Sequence, residues 1–160
     1  MTSNQGNDTV GEYDATTGTA IVGWTSPSGL RDPLALAVSG NNLYVVSNFF
    51  SGPSTVGKYD ATTGATIAGF TSPSGLHEPP LVVSGNNLYL VTDNTVGSYD
   101  ATTGAAINAN LITGLNGPDA LAVSGNKLYV VHYIAPAPEP ASASLLGFGA
   151  LLLAARRRST

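Results

Sequence analysis

"YDATTG" stands three times in this chain without a substitution, at residues 13–18, 59–64 and 99–104. An acid, two hydroxyls and a glycine repeated so faithfully mark either a chemical site or a structural joint. The copies are 46 and 40 residues apart. The difference is local: five extra residues lie in "NFFSGPS", and one in "LRDPLALAV" against "LHEPPLVV". Insertions confined to connections leave a repeated element intact on either side.

Around the hexapeptide each period carries four short apolar segments, which in the fullest copy are residues 34–39, 43–47, 55–60 and 65–70. Each is bounded by Gly, Asn, Ser or Pro, the residues that punctuate strands. Four strands in a period of 40 to 46 residues is one blade of a β-propeller. The second segment, "LYVVS" or "LYLVT", is apolar at successive positions, so both of its faces should be covered by neighbouring blades. The first, "ALAV" or "PLVV", favours small side chains, as the innermost strand must where blades converge. "YDATTG" therefore lies in the hairpin between the third and fourth strands. Its Asp accepts local backbone N–H groups, and its Gly takes the left-handed conformation that restores pairing. "SGNNLY" and "SGNKLY", from Ser39, Ser84 and Ser124, read as a tight hairpin between the first and second strands.

Composition agrees with an all-β class. Nineteen glycines and ten prolines accompany few of the charged residues that favour helices. Residues 1–134 hold three basic residues, Arg31, Lys58 and Lys127, against nine acids, a net of −6. Such a surface repels phosphate, so no nucleic-acid partner is expected. With no cysteine there is no disulfide framework, thiolate nucleophile or Cys-ligated zinc. "MTSNQGNDTV" has neither a basic leader nor an apolar run of the secretory kind.

A small-residue strand after a proline loop, then "LYVV", then "TVGxYDATTG" resembles the NHL and YVTN families of bacterial β-propeller repeats over residues 3–134. The resemblance implies a scaffold and no particular chemistry. The chain enters a blade after its second strand and leaves the repeat region after another second strand. That leaves twelve strands, or three blade equivalents with one split between the two ends. Propellers close with four or more blades. The repeats thus read as part of a longer product that holds further blades and an export signal, or as half of a ring made by two chains. An open arc exposes edges and apolar faces and should self-associate.

From Ala135 the composition changes to "APAPEPASASLLGFGALLLAARRRST". Residues 1–134 read as partial propeller, 135–140 as a proline-rich linker, and 141–160 as a hydrophobic helix with a basic end. The apolar run at residues 141–155 makes about 22 Å of helix against a hydrocarbon core of about 30 Å, so it would span through snorkelling arginines and local thinning. The arginines would hold its end on the cytoplasmic side. Pro138, Glu139 and Pro140, the apolar segment, and Arg156, Arg157 and Arg158 together resemble the PEP-CTERM sorting signal of biofilm-forming bacteria. This resemblance implies export, transient anchoring in the inner membrane, cleavage near Pro-Glu-Pro by an exosortase-type peptidase, and delivery to the cell surface or matrix.

Invariant turns support a fold, and divergent loops confer recognition. The loops from fourth to first strand hold Arg31 and Asp32, His77 and Glu78, and Asn116 and Asp119. Those from second to third strand hold Phe49 and Phe50, and Asp93 and Asn94. His77 beside Glu78 is the one His-acid pair of the body, but adjacent strand-like residues point apart and no orienting partner is evident. Phe49 and Phe50 would either stack on a sugar ring or pack on a neighbouring unit. The preferred reading is an exported binding protein for polysaccharide or a matrix protein, with no catalysis and no cofactor. The alternative is a metal-dependent hydrolase or lyase resembling gluconolactonases, with Glu78, Asn94 and Asp119 as oxygen ligands of the kind calcium prefers.

Overall fold

Nine β-strands and no helix make up the described residues of the computed structural model, which are 8–49 and 52–134. β1 (Pro33–Ser39), β2 (Asn42–Phe49) and β3 (Gly52–Asp60) form one antiparallel sheet in that order. β4 (Leu81–Ser84), β5 (Asn87–Thr92), β6 (Thr95–Asp100) and β7 (Ala106–Ile112) form a second. β8 (Ala120–Ser124) and β9 (Lys127–Val131) make a two-stranded third. The all-β class holds, and successive antiparallel sheets of two to four strands are consistent with a partial propeller. Phe50, the Phe49 side chain, the linker, the expected C-terminal helix and the sorting motif lie outside the described residues. No helix among those described is long and apolar enough to cross a membrane.

The count of four strands per blade needs correction. Only the second sheet is complete; in the first, residues 65–70 reduce to a bridge between Tyr59 and Thr66, and the copy before it to a bridge between Tyr13 and Ala20. The physical reason lies at Gly23 and Gly69, whose φ values of 94° and 83° turn the chain out of the sheet and send Trp24 and Phe70 toward the next blade. Where these two copies have Gly-Trp and Gly-Phe, the third has Ala109 and Asn110, and β7 runs on to Ile112. The single-residue insertion in "LRDPLALAV" appears as a β-bulge, the register of β1 on β2 shifting between Pro33 and Ala35.

β2 shows why the repeat must stack. Leu43, Tyr44, Val45 and Val46 are all buried. Tyr44 and Val46 join Val56 in a core shared with Leu81, Leu88 and Leu90 of the next sheet. Leu43 and Val45 pack on Leu30, with Val10 and Trp24 against them on the other side. Withdrawal from water is worth about 1.5–3 kcal/mol for each fully covered Leu or Val, but only if a blade stands on each side. β9 repeats the "LYVV" of β2, yet Tyr129 and Val131 on one of its faces are exposed. The expectation of two covered faces therefore holds for β2 and fails for β9, because among the described residues no sheet follows it.

Sheet joins sheet through polar contacts at the "YDATTG" turns. The Tyr44 hydroxyl donates to the Ala101 carbonyl at 2.7 Å, and Trp24 Nε1 donates to the equivalent carbonyl of Ala61 at 2.8 Å. The Thr71 N–H donates to the Thr103 carbonyl at 2.8 Å, bringing the connecting segment down on the next turn. A Cβ on Gly64 would collide with the Thr25 carbonyl oxygen, and one on Gly104 with that of Thr71. Both glycines also have positive φ, 72° and 79°. Gly69, at φ 83°, has open space where its Cβ would point. We expect Gly69→Ala to cost about 1–2 kcal/mol, the left-handed strain alone, and Gly104→Ala to cost at least about 3 kcal/mol because a fixed backbone must also move. Urea unfolding of the two variants measures the difference; equal losses would refute the joint.

Candidate functional site

Two surfaces carry the polar residues singled out from the sequence: the invariant turns and the divergent loops. In the turns, one oxygen of Asp60 accepts the N–H groups of Thr62 and Thr63 at 2.9 and 2.8 Å and the Thr63 hydroxyl at 3.0 Å. Its other oxygen accepts from the Asn41 side-chain amide Nδ2 at 2.5 Å, and the Thr62 hydroxyl donates to Asn41 Oδ1 at 2.6 Å. Asp100 repeats the pattern with Thr102, Thr103 and Asn86. The two invariant motifs, "YDATTG" and "SGNNLY", are thus halves of one joint, the asparagine of one hairpin reading the aspartate of the other.

These bonds favour the ionised carboxylate. The Thr63 N–H first, then the Thr63 hydroxyl, hold Asp60 below the usual aspartate range; Thr103 does the same for Asp100. For Asp14 the Thr17 N–H is the largest cause. Oxygens so engaged are turn acceptors, and the sequence reading of the hexapeptide as a structural joint stands.

The divergent loops rest on a second repeated device. Asp32, Glu78 and Gly117 occupy the same place, just before a proline, and all have positive φ, at 40°, 48° and 54°. The glycine in the third copy reveals what that position demands. Each backbone N–H there donates to a short side chain one residue before "TVG": Asp32 to Asp8 Oδ1 at 3.0 Å, Glu78 to Ser54 Oγ at 2.9 Å, and Gly117 to Asn94 Oδ1 at 3.4 Å. Asn94 also accepts the Leu115 N–H through its carbonyl at 3.1 Å. Asn94 is therefore a clamp that holds its loop, and Glu78 shares a position with Gly117 rather than with Asp119.

Asn48, which the sequence reading passed over, ties two loops together. Its N–H donates to the carbonyls of Arg31 and Asp32 at 3.0 and 3.3 Å, and its amide donates to Glu78 Oε1 at 2.9 Å. Arg31, Asp32 and Glu78 are thus brought to one neighbourhood, all exposed. His77 is exposed beside them, and Asn116 and Asp119 lie on the next loop, where the Asn116 carbonyl accepts the Tyr133 N–H at 2.7 Å. Asp93, at φ 51°, shapes the β5–β6 turn. Among the described residues no three His, Asp or Glu side chains gather as a metal site. Asp8, Ser54 and Asn94 were findable: three different acceptors precede "TVG" in three aligned copies.

Arg31, His77 and Asn116 occupy one equivalent place, the residue after Gly-Leu in each loop. Loops clamped alike thus present three different polar side chains to solvent.

A family model described as outer membrane protein assembly factor BamB matches residues 6–134. No curated protein matches. Among solved structures the computationally designed Ika8 protein is similar at 21% identity and a TM-score of 0.51, over 78% of this chain and 37% of that one. The chain thus spans little more than a third of its length. The computationally designed Ika4 protein aligns at 16% identity and a TM-score of 0.35, over 67% of this chain and 95% of that one. At such identities the likeness to Ika8 concerns the fold alone.

Two outcomes follow from this geometry. Ser54 is buried, so Ser54→Ala strands the Glu78 N–H and should cost about 1–2 kcal/mol; a stability equal to that of the parent in chemical denaturation would refute the clamp. The folded chain binds protons at Asp60 and Asp100 more weakly than the unfolded chain does. Their stabilisation is full above the ordinary aspartate pKa, about 4, and is lost as pH falls through their lower folded values. Denaturation midpoints should fall below that pH, and less so in Asp60→Asn/Asp100→Asn than in the parent.

Proposed function

This chain belongs to the β-propeller-type repeat family described as outer membrane protein assembly factor BamB, and from that membership we propose that it is an exported interaction module without catalysis of its own. The observation that carries this reading is the row of equivalent, exposed positions Arg31, His77 and Asn116 on loops whose backbones are held alike. A rigid scaffold that presents a different exposed side chain at this position in each repeat is suited to recognition, since little ordering entropy is spent on binding. A guanidinium, an imidazole and an amide beside Glu78 and Asp32 offer donors and acceptors to a hydroxyl-rich or polar surface, a polysaccharide or a matrix protein. Phe49 and Phe50, next to Asn48 in sequence, would add sugar-stacking area.

Export rests on the tail. The Pro138-Glu139-Pro140 motif, the apolar residues 141–155 and the three arginines Arg156, Arg157 and Arg158 stand in the order of a PEP-CTERM signal. The repeats are of the NHL or YVTN type on the strength of "LYVV" and "TVGxYDATTG". The chain would be anchored by its tail in the inner membrane, cut by an exosortase-type peptidase and released to the cell surface or matrix. The family's description names a factor in outer membrane protein assembly, which is also envelope work.

Glycan-array and envelope-protein binding by the purified chain tests the recognition reading. The triple variant Arg31→Ala/His77→Ala/Asn116→Ala should lose at least about tenfold in affinity, the loss typical of truncating a binding hot spot, while keeping the parent's unfolding midpoint. Unchanged binding by that variant, or calcium-dependent lactone hydrolysis by the parent, would overturn it. For the tail, mass spectrometry of protein from an exosortase-bearing host should find the C-terminus trimmed near Glu139, and Glu139→Ala should abolish the trimming.

A further inference from the structure

Each sheet here has two unlike faces, and the described residues leave one of each kind uncovered at opposite ends of the array. On the face the first sheet turns to the second, Tyr44 and Val46 are 1% and 0% exposed; their counterparts on β9, Tyr129 and Val131, are 54% and 61% exposed. On the receiving face of the second sheet Leu81 is 8% exposed, whereas its counterpart on β1, Leu36, is 54% exposed. Clefts of about 280 and 180 Å³ lie beside Leu36, between β1 and the stretch that carries Val10 and Gly11. That is the place of the first two strands of a blade.

The hydrogen-bonding halves divide in the same way. Asn41 and Asn86 each bond the aspartate of a "YDATTG" turn. Asp14 has its threonine partners but, among the described residues, no such asparagine, and Asn126, the counterpart of Asn86, has no such aspartate. Gly64 and Gly104 are each overlaid by a connecting segment, whereas among the described residues nothing lies within 4 Å of the Cβ direction at Gly18. Among the described residues β9 pairs with β8 alone, and Tyr13 pairs through a single bridge to Ala20.

We propose that a second copy of this chain supplies the missing half at each end. β9 of one copy pairs antiparallel with residues 9–14 of the other in the register of β5 on β6, which sets Lys127 opposite Asp14, Val131 opposite Val10, and His132 opposite Thr9. The joint continues the interface already seen between the sheets, with Tyr129 and Val131 covering Leu36. It occurs twice, head to tail, and closes the two chains into a ring with three blade equivalents from each. The choice of a second copy rests on the two halves residing in one chain, and on charge. Where β2 and β5 begin with Asn42 and Asn87, β9 begins with Lys127, a cation facing the carboxylate of Asp14.

The absence of cysteine from the sequence makes the contact testable in the full chain. The residues equivalent to His132 and Thr9, Thr92 and Thr95, have their hydroxyl oxygens 2.7 Å apart. Thr9→Cys and His132→Cys, each exposed positions, are made separately and oxidised alone and mixed. A disulfide-linked pair is expected in the mixture and in neither variant alone. The parent should sediment at twice its 16.2 kDa, and Val131→Asp should weaken the dimer at least about tenfold. A parent of 16.2 kDa, a mixture that does not cross-link, linkage within a single variant, or a Val131→Asp protein that associates as tightly as the parent would each overturn the proposal.

Discussion

A blade of this chain cannot stand alone, because its second strand is apolar on both faces and only neighbours on both sides remove those faces from water. Leu43 and Val45 point one way and Tyr44 and Val46 the other, so the sheet gains its full burial only within a stack. Burial by itself is non-directional and would let sheets slide. The carbonyl oxygens of Thr25 and Thr71, set against Gly64 and Gly104, convert apolar attraction into one geometry. The buried Tyr44 hydroxyl, donating to the Ala101 carbonyl, adds a polar key, since misplacing it would leave a buried group unsatisfied.

The same economy governs the polar residues. An aspartate that accepts two backbone N–H groups, a hydroxyl and an asparagine amide has its lone pairs engaged, so repetition of Asp and Thr in this protein means repetition of a joint. The loop clamp follows similar logic with less restricted chemistry: Asp8, Ser54 and Asn94 differ, but each places one acceptor oxygen before "TVG". What must recur is an acceptor of the right reach; what may vary is everything the clamp does not touch. That division lets Arg31, His77 and Asn116 differ while the clamp beneath each recurs.

Membership of a BamB-like repeat family and likeness to a designed protein both speak to the scaffold, and a scaffold of this kind hosts many activities.

The period, the four apolar segments, the turn chemistry of "YDATTG" and the double-faced character of "LYVV" were all legible in the sequence, because each depends on local spacing and on residues within a few positions. Of the twelve expected strands nine form: a glycine before Trp24 or Phe70 draws two of the fourth segments toward the next blade, and residues 9–14 make only the bridge from Tyr13 to Ala20; both outcomes are set by neighbours distant in the chain. Likewise the left-handed setting of Asp32 and Glu78, the clamps that hold them and the bridging role of Asn48 arise from contacts 16 to 30 residues apart. The pattern of residues determined which pieces form; only tertiary packing decided which polar groups meet, because hydrogen-bond partners across a stack are chosen by how the sheets lie on one another.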